Sequence, residues 1–241
     1  MIEKVNVICT KWGVKYGADY ANRLHSMVKR HLTIPHRFVC FTDDTTGLNP
    51  GIETFPMPHL PLPESHKNLP WRKIGLFSPE LGDLQGPTLF LDLDLVIVDN
   101  IDCFFTYPGD FCIIHNWTHP DRIVGNSSVY RFTVGADSYV YDTIMNDMAG
   151  QLAKYPNSQT FLSHTVKKLT YWPSDWCCSF KKHCVPKGLK RFFVTAEKPA
   201  KCKIVVFHGD PNPDDALVGK WPGKGLHKFI KPVKWIAQDW K

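Results

Sequence analysis

Short apolar runs alternate with amphipathic segments along this chain, which is the pattern of an α/β protein built on a mainly parallel sheet flanked by helices. Two early apolar runs, 5–10 and 37–42, predict strands. Apolar residues between them recur at helical spacing and predict a helix over about 18–32. The most apolar run, 88–98, predicts one continuous strand, and 204–207 predicts the last clear strand of the chain.

The remaining segments complete this outline. A strand is expected over 127–132, followed by a helix over about 136–152. A second helix is expected to start with residue 157 or 158 as its cap and to run towards Lys168. The proline-rich stretch 49–70 predicts a surface loop, and 71–77 a short helix. No repeat or separating linker is evident, so we expect a single domain over 1–241.

Composition supports a packed, non-membrane protein. Hydrophobic residues make up 43% and aromatic residues 13% of the 241 positions, which favours a buried core. No apolar run approaches the roughly 20 residues of a transmembrane helix. The first residues resemble a core strand rather than a secretory signal, so a cytoplasmic location is expected.

Eight cysteines raise the question of disulfides or a metal site. Several lie in apolar strand-like runs without recurring spacing, which favours reduced, buried thiols. The cluster around Cys177, Cys178, His183 and Cys184 matches no common zinc-site spacing.

The net charge of +6 predicts partners that are anionic on average. No basic helix or RNA-binding signature is present, so nucleic acid is not an expected partner. The C-terminal stretch is basic, and it is either a solvated tail or a surface for an anionic membrane or a phosphorylated acceptor. Its lysines are Lys220, Lys224, Lys228, Lys231 and Lys234.

Two carboxylates two residues apart carry the clearest chemical signal. In a continuous strand, Asp92 and Asp94 would lie on one face among apolar neighbours, where their charges would repel. A divalent cation such as Mn²⁺ or Mg²⁺ removes that cost. One alternative is that both residues lie past the strand end, solvated or capping a loop. Another is a haloacid-dehalogenase-type phosphatase with Asp92 as nucleophile, although that family places its motif near the N-terminus and continues it with Gly-Thr.

The segment and its surroundings resemble glycosyltransferases of the GT-A fold, specifically the family 8 group that includes glycogenin and bacterial galactosyltransferases. The resemblance is carried by the Lys73-bearing segment 71–77, the Asp-x-Asp strand end at 91–94 and the tail at 98–105. It extends over about 3–222 and becomes weaker towards the end. It implies a nucleotide-binding part over about 1–105 and an acceptor part over about 106–241. It implies a Rossmann-like α/β domain that moves a hexose from a nucleotide sugar, expected to be UDP-linked, to a glycan or lipid-linked acceptor, with retention of configuration.

The same resemblance implies the site residues. Asp92, Asp94 and His208 would hold the metal, and Gln159 and Asp92 are the expected catalytic residues. Lys73 would either steady Asp92 or reach the donor. The donor would be bound by residues spread along the chain, namely Thr10, Tyr16, Lys73, Asp92, Asn126, Ser127, His208 and Gly209. Two departures from the family pattern leave the donor open, since Asn212 stands where a lysine meets the diphosphate and Ser128 where a glycine is usual. A non-catalytic relative that binds nucleotide sugars or metal remains the competing class.

Overall fold

The computed structural model describes residues 4–118 and 120–241, so the first three residues of the expected domain lie outside the description. The chain divides into two compact units, and each is assembled from three separate stretches. The first unit comprises residues up to Asn22, Ile34–Leu93 and Cys103–Trp172, and the second comprises Arg23–Thr33, Asp94–Asp102 and Pro173–Lys241.

Strands occur throughout the described chain. In chain order they are β1 (Val5–Lys11), β2 (His36–Thr42), β3 (Glu53–Phe55), β4 (Pro87–Leu91), β5 (Leu95–Ile97), β6 (Phe111–His115), β7 (Gly125–Thr133), β8 (Leu169–Tyr171), β9 (Cys177–Ser179) and β10 (Ile204–Val206). The expectations for 5–10, 37–42, 127–132 and 204–207 are confirmed within two residues at each end.

Helices are short apart from the first. The α-helices are α1 (Ala18–His31), α2 (Cys103–Thr106), α3 (Tyr139–Asn146), α4 (Met148–Lys154), α5 (Ser158–Thr165), α6 (Pro213–Leu217) and α7 (Lys234–Asp239). Short 3₁₀ helices cover Glu64–His66, Pro70–Phe77, Gly188–Phe192 and Leu226–Lys228, and a π-helical turn covers Phe180–Cys184. The α5 start is as expected, because the Asn157 side chain accepts a hydrogen bond from the Thr160 N–H (2.9 Å).

The first unit is built on a seven-stranded sheet in the order β3-β2-β1-β4-β7-β6-β8. Four of its six strand pairs are parallel, while β7 runs antiparallel to both β4 and β6. Every residue of β1 is buried, as a central parallel strand covered on both faces requires. On one face, the 3₁₀ helix Pro70–Phe77 packs with α3 and α5 into an apolar core that includes Trp71, Ile144 and Phe161.

The expectation of one strand over 88–98 is wrong. The chain leaves strand geometry after Leu91 and resumes it at Leu95. Adjacent Leu93 and Asp94 are both buried, so strict alternation fails between them. The reason is a change of sheet: β4 pairs with β1 and β7, whereas β5 pairs with β10.

Two further expectations need correction. The helix expected over 136–152 is two helices, because Asp147 leaves helical geometry and its side chain accepts from the Gly150 N–H (3.1 Å), which caps α4. The proline-rich stretch 49–70 is not all loop, because Glu53–Phe55 pairs in parallel with β2 at the edge of the sheet.

The second unit contains a three-stranded sheet in the order β5-β10-β9. Strand β10 runs antiparallel to β5 and parallel to β9, with Val206 opposite both Leu95 and Ser179. This register brings the residues that follow β9 and β10 to the same edge of the small sheet.

All eight cysteines are free thiols, and seven of them are buried, in line with expectation. Among residues 4–118 and 120–241, no helix is long and apolar enough to cross a membrane.

Candidate active site

The carboxyl ends of three parallel strands meet at one edge of the large sheet. Strands β1, β2 and β4 are parallel neighbours, with Ile8 of β1 opposite both Val39 and Phe90. The residues at or just past their ends include Thr10, Thr42 and Asp92. Ligands of α/β proteins gather outside such edges, because loops there are free to diverge without disturbing the core.

Asp92 is neutralised by a lysine at this edge. Lys73, from the 3₁₀ helix Pro70–Phe77, donates from Nζ to Asp92 Oδ1, and their side chains are only 10% and 18% exposed. The same ammonium lies 5.1 Å from the centre of the Phe90 ring. The sequence expectation that Lys73 steadies Asp92 is therefore confirmed as a direct ion pair.

The surroundings of this pair are dry. Phe90 stacks on Tyr130 with ring centres 4.7 Å apart, and the Tyr130 hydroxyl has no hydrogen-bond partner within the described chain. Burial, with the nearby charge of Asp92, raises the pKa of Tyr130 well above its usual value. In such an environment a carboxylate needs a cationic partner, which Lys73 supplies.

The main chain ties Asp92 to the segment that the resemblance assigns to the donor sugar. The Asp92 N–H donates to the Ser128 carbonyl (2.9 Å), and the Ser128 N–H donates to Asn126 Oδ1 (3.1 Å). Asn126 is 9% exposed, and Ser127, between them, is half-buried. Asn126 therefore shapes the strand beside Asp92 as well as being a candidate ligand residue.

The loop after β1 is built by polar contacts with the loop after β2. Lys11 Nζ donates to the Asp44 carbonyl (3.0 Å), and the Gly13 N–H donates to Asp43 Oδ2 (3.1 Å). Gly13 has φ +60°, in the left-handed region that glycine tolerates best. The half-buried Tyr16 at the end of this loop packs against Tyr20, with ring centres 4.8 Å apart, and Thr10 is buried in β1.

Gln159 lies on the rim of a separate pocket in the first unit. It occupies the first turn of α5, where its carbonyl accepts from Ser163 Oγ (2.6 Å). The pocket has a volume of ≈580 Å³. Polar and apolar residues line it together with Gln159, among them Asn116, Arg122, His164, Ile123 and Val124.

In the second unit, His208 follows β10 and is held by Ser179 at the end of β9 and by Lys181 just past it. Its Nε2 lies 2.7 Å from Ser179 Oγ, and its carbonyl accepts from Lys181 Nζ. The Ser179 hydroxyl oxygen also accepts from the Lys182 N–H (3.3 Å). Asp94 belongs to the same sheet, because its carbonyl accepts from the Phe207 N–H (3.0 Å), one residue before His208.

The electrostatics of the second unit keep His208 neutral. Burial, followed by the positive charge of Lys181, lowers the pKa of His208 to about 4. A neutral imidazole is the form that binds metal ions. Burial also lowers the pKa of Lys181, while Asp210 and Asp94 act in the opposite direction.

Solved glycosyltransferase structures superpose on most of the chain. An active-site mutant of LgtC matches with a TM-score of 0.59 and 10% identity, over 86% of this chain and 89% of LgtC. The galactosyltransferase LgtC with donor and acceptor sugar analogues matches at 0.57 and 12%, over 86% and 88%. The bifunctional glycosyltransferase WbbM matches at 0.61 and 13%, over 88% of this chain and 47% of WbbM.

The chain has the GT-A fold. At the level of sequence, no family model matches the chain. No curated protein matches it either.

Within this GT-A fold, several residues were not foreseen from the sequence. Ser179 and Lys181 contact His208 because β9 and β10 are parallel neighbours, and no motif marks either residue. Asn212 has a structural role: its N–H donates to Asp215 Oδ2 (3.3 Å) in the capping box that starts α6. Lys220, one of the C-terminal lysines, pairs with Asp215 at 3.3 Å.

The donor chemistry of the expected metal ligands fits a divalent cation, since carboxylates and a neutral imidazole suit Mn²⁺. Within residues 4–118 and 120–241, no three His, Cys, Asp or Glu side chains are grouped as a ready metal site. Asp92 is instead engaged by Lys73.

Proposed function

We propose that the chain is a metal-dependent glycosyltransferase that moves a hexose from a UDP-sugar to a glycan or lipid-linked acceptor with retention of configuration. The strongest support is the Asp92-Leu93-Asp94 segment, which interrupts strand structure at the carboxyl edge of β4 in a chain with the GT-A fold. The superposed LgtC structure with donor and acceptor sugar analogues adds support for a sugar-transfer reaction. A phosphatase of the haloacid-dehalogenase type gains no support from this fold.

The proposed metal ligands are Asp92, Asp94 and His208, with Mn²⁺ preferred and Mg²⁺ acceptable. A bound cation would supply Lewis-acid stabilisation of the departing nucleoside diphosphate. Lys73 pairs with Asp92 and holds the carboxylate in place at the strand end. Burial keeps the imidazole of His208 unprotonated at neutral pH, ready to act as a ligand.

The nucleotide-sugar donor is proposed to bind along the carboxyl edge of the large sheet. Thr10 and Tyr16 would meet the base, and Tyr16 offers a ring that is half-buried against Tyr20. Asn126 and Ser127 would contact the sugar. Gly209 has φ +70°, which only glycine adopts readily, so its main chain is proposed to approach the donor without a side chain.

Lys181 is proposed to supply the positive charge that the family places on a lysine after the His-Gly pair. Asn212 cannot neutralise a diphosphate, and it is committed to the start of α6. Lys181 donates to the His208 carbonyl and is electrostatically coupled to Asp94 and Asp210. A cation beside two proposed binding residues, His208 and Asp94, suits a diphosphate better than the exposed Lys220 does.

Gln159 is proposed to stabilise the transition state. One superposed LgtC structure carries a glutamate in place of an active-site glutamine, so a glutamine belongs to the active site of that enzyme. Gln159 borders a pocket that is large enough for a monosaccharide unit and has both apolar and polar lining residues, which supports a similar role in this chain.

The test is donor turnover by the purified chain. UDP-, GDP- and CMP-sugars are supplied with Mn²⁺, and release of the nucleoside diphosphate is measured. We expect release from UDP-sugars, its loss on chelation, and a fall of at least about a hundredfold in Asp94→Ala and His208→Ala. Exposed control variants, Asp142→Ala and His59→Ala, should keep the wild-type rate.

Two outcomes would contradict the proposal. Wild-type rates in both Asp94→Ala and His208→Ala would remove the metal assignment. Binding of donors without any release of diphosphate would identify the non-catalytic relative, a reading favoured by the Lys73–Asp92 pair, which occupies one expected ligand. Calorimetric titration of UDP with Mn²⁺ separates binding from turnover.

A further inference from the structure

Large apolar side chains protrude from two segments of the second unit. Leu189 and Phe193 are each 77% exposed and Leu226 is 80% exposed, and Val194 and Phe229 are exposed as well. Single exposed apolar residues are common on protein surfaces, but several gathered together mark an interaction site. We name segments 187–194 and 224–231 together the basic apolar face.

The two segments are held against one another by specific contacts. The rings of Phe192 and Phe229 lie 4.9 Å apart. Arg191 donates from Nη1 to the His227 carbonyl, and Lys231 donates from Nζ to the Phe193 carbonyl (3.0 Å). Phe192 and Phe229 thus anchor the segments, and Leu189, Phe193 and Leu226 are left to project outwards.

The charged residues within these two segments have a single sign. No aspartate or glutamate occurs between Asp175 and Glu197, or between Asp215 and Asp239. The basic residues within the basic apolar face are Lys187, Lys190, Arg191, Lys224, Lys228 and Lys231. Of these, Lys187, Lys190 and Lys224 are exposed.

We propose that the basic apolar face docks on the surface of a membrane that contains anionic phospholipids. Apolar side chains flanked by lysines match the two parts of such a surface, because the former enter the boundary between headgroups and acyl chains while the latter meet phosphates. A polyanion such as nucleic acid would bind the lysines but would offer no apolar region for Leu189, Phe193 and Leu226. A protein partner would leave vesicle binding absent, and that outcome overturns the proposal.

Docking is independent of sugar transfer, yet it suits the lipid-linked class of acceptor proposed above. It would place the second unit, which carries His208, at the surface where such an acceptor resides. Vesicle binding is measured without donor or acceptor, so its failure leaves the transferase proposal untouched.

The experiment is co-sedimentation of the full chain with phosphatidylcholine vesicles that contain or lack phosphatidylglycerol. Binding is expected only with phosphatidylglycerol, and it should weaken as salt rises. Each lysine near an anionic surface strengthens binding about fivefold, so the triple variant Lys187→Gln/Lys190→Gln/Lys224→Gln should bind about a hundredfold more weakly. The triple variant Leu189→Ser/Phe193→Ser/Leu226→Ser should bind more than about tenfold more weakly, because the affinity for the membrane rises with the apolar area that is buried.

Matched controls lie in the first unit. Val14→Ser removes a fully exposed apolar side chain, and Lys67→Gln/Lys168→Gln removes exposed charges, so both should bind like wild type. Equal binding to neutral vesicles, or no binding to either kind, would overturn the proposal. So would unchanged vesicle binding in the serine variant, which would identify a general polyanion site. Circular dichroism verifies that each variant is folded.

Discussion

Asp92 and His208 are both proposed metal ligands, and their surroundings stabilise them in opposite ways. In the first unit, Asp92 keeps its charge and is neutralised by Lys73. In the second unit, His208 loses its charge, because burial beside Lys181 lowers its pKa to about 4. The carboxylate is stabilised by a charged partner, and the imidazole by burial and a neutral hydrogen-bond partner, Ser179.

The difference follows from the chemistry of the two groups. A carboxylate in a dry site beside Phe90 and Tyr130 would have to bind a proton or find a cation, and a lysine on a neighbouring helix supplies one. An imidazole has a neutral form at physiological pH and needs only a hydrogen-bond partner, which Ser179 provides. The two arrangements therefore respond differently to mutation and to pH.

The largest expected effect is on the ion pair. Lys73→Met leaves the carboxylate of Asp92 without its cation in a mostly buried place, so the free energy of unfolding should fall by about 3 kcal/mol. Lys73→Met/Asp92→Asn should recover part of the loss, because the stranded charge is gone. Urea denaturation followed by fluorescence measures both.

An exposed pair serves as the control for this measurement. Lys168 and Asp110 form an ion pair 3.1 Å long with side chains 81% and 74% exposed. Lys168→Met should change the free energy of unfolding by less than about 0.5 kcal/mol. Equal losses in Lys73→Met and Lys168→Met would show that burial adds nothing to the Lys73–Asp92 pair.

A smaller effect is expected from pH on His208 in metal-free protein. Its folded-state pKa is about 4 against an ordinary 6.5, so below pH 6.5 the unfolded chain binds the proton more readily. Stability should therefore be complete above about pH 7 and fall by about 2 kcal/mol towards pH 4, a figure reduced for the exposed part of the ring. His208→Gln should flatten this part of the profile, and identical profiles would refute the assignment.

The smallest effect is expected from the hydroxyl that contacts His208. Ser179→Ala removes one hydrogen bond to the ring and should cost about 1 kcal/mol of folding free energy. Ser65, whose hydroxyl lies 2.9 Å from His66 Nδ1 on the surface, offers a matched pair in which Ser65→Ala should be neutral. Chemical denaturation compares the two, and a larger loss for Ser65→Ala would reverse the expected order.

The large sheet was more predictable than the small one. Strands β1 and β2 and helix α1 are long enough for their apolar periodicity to be read, and Asn157 marks the start of α5. Strands β5, β8 and β9 have three residues each, too few for a period to emerge. The apolar run 88–98 concealed a change of sheet, because both halves are equally apolar.

The candidate site could be predicted only in part, because some of its contacts depend on strand pairing. Asp92 can be recognised in the sequence because it lies within an apolar run, and its pairing with Lys73 was expected. Lys181 and Ser179 reach His208 through strand pairing, a contact between distant positions that a single sequence does not display. The cap formed by Asn212 and Asp215 was likewise hidden, because the run Asp-Pro-Asn-Pro reads as a loop.

The interleaved composition of the two units has a consequence for how the protein is made. Strand β5 emerges from the ribosome early, yet its pairing partner β10 is among the last strands to be synthesised. The first unit, by contrast, is complete once Trp172 has appeared. During translation, Leu95–Ile97 must therefore stay unpaired until the residues of β10 have been synthesised. An unpaired apolar strand of this kind is prone to aggregation.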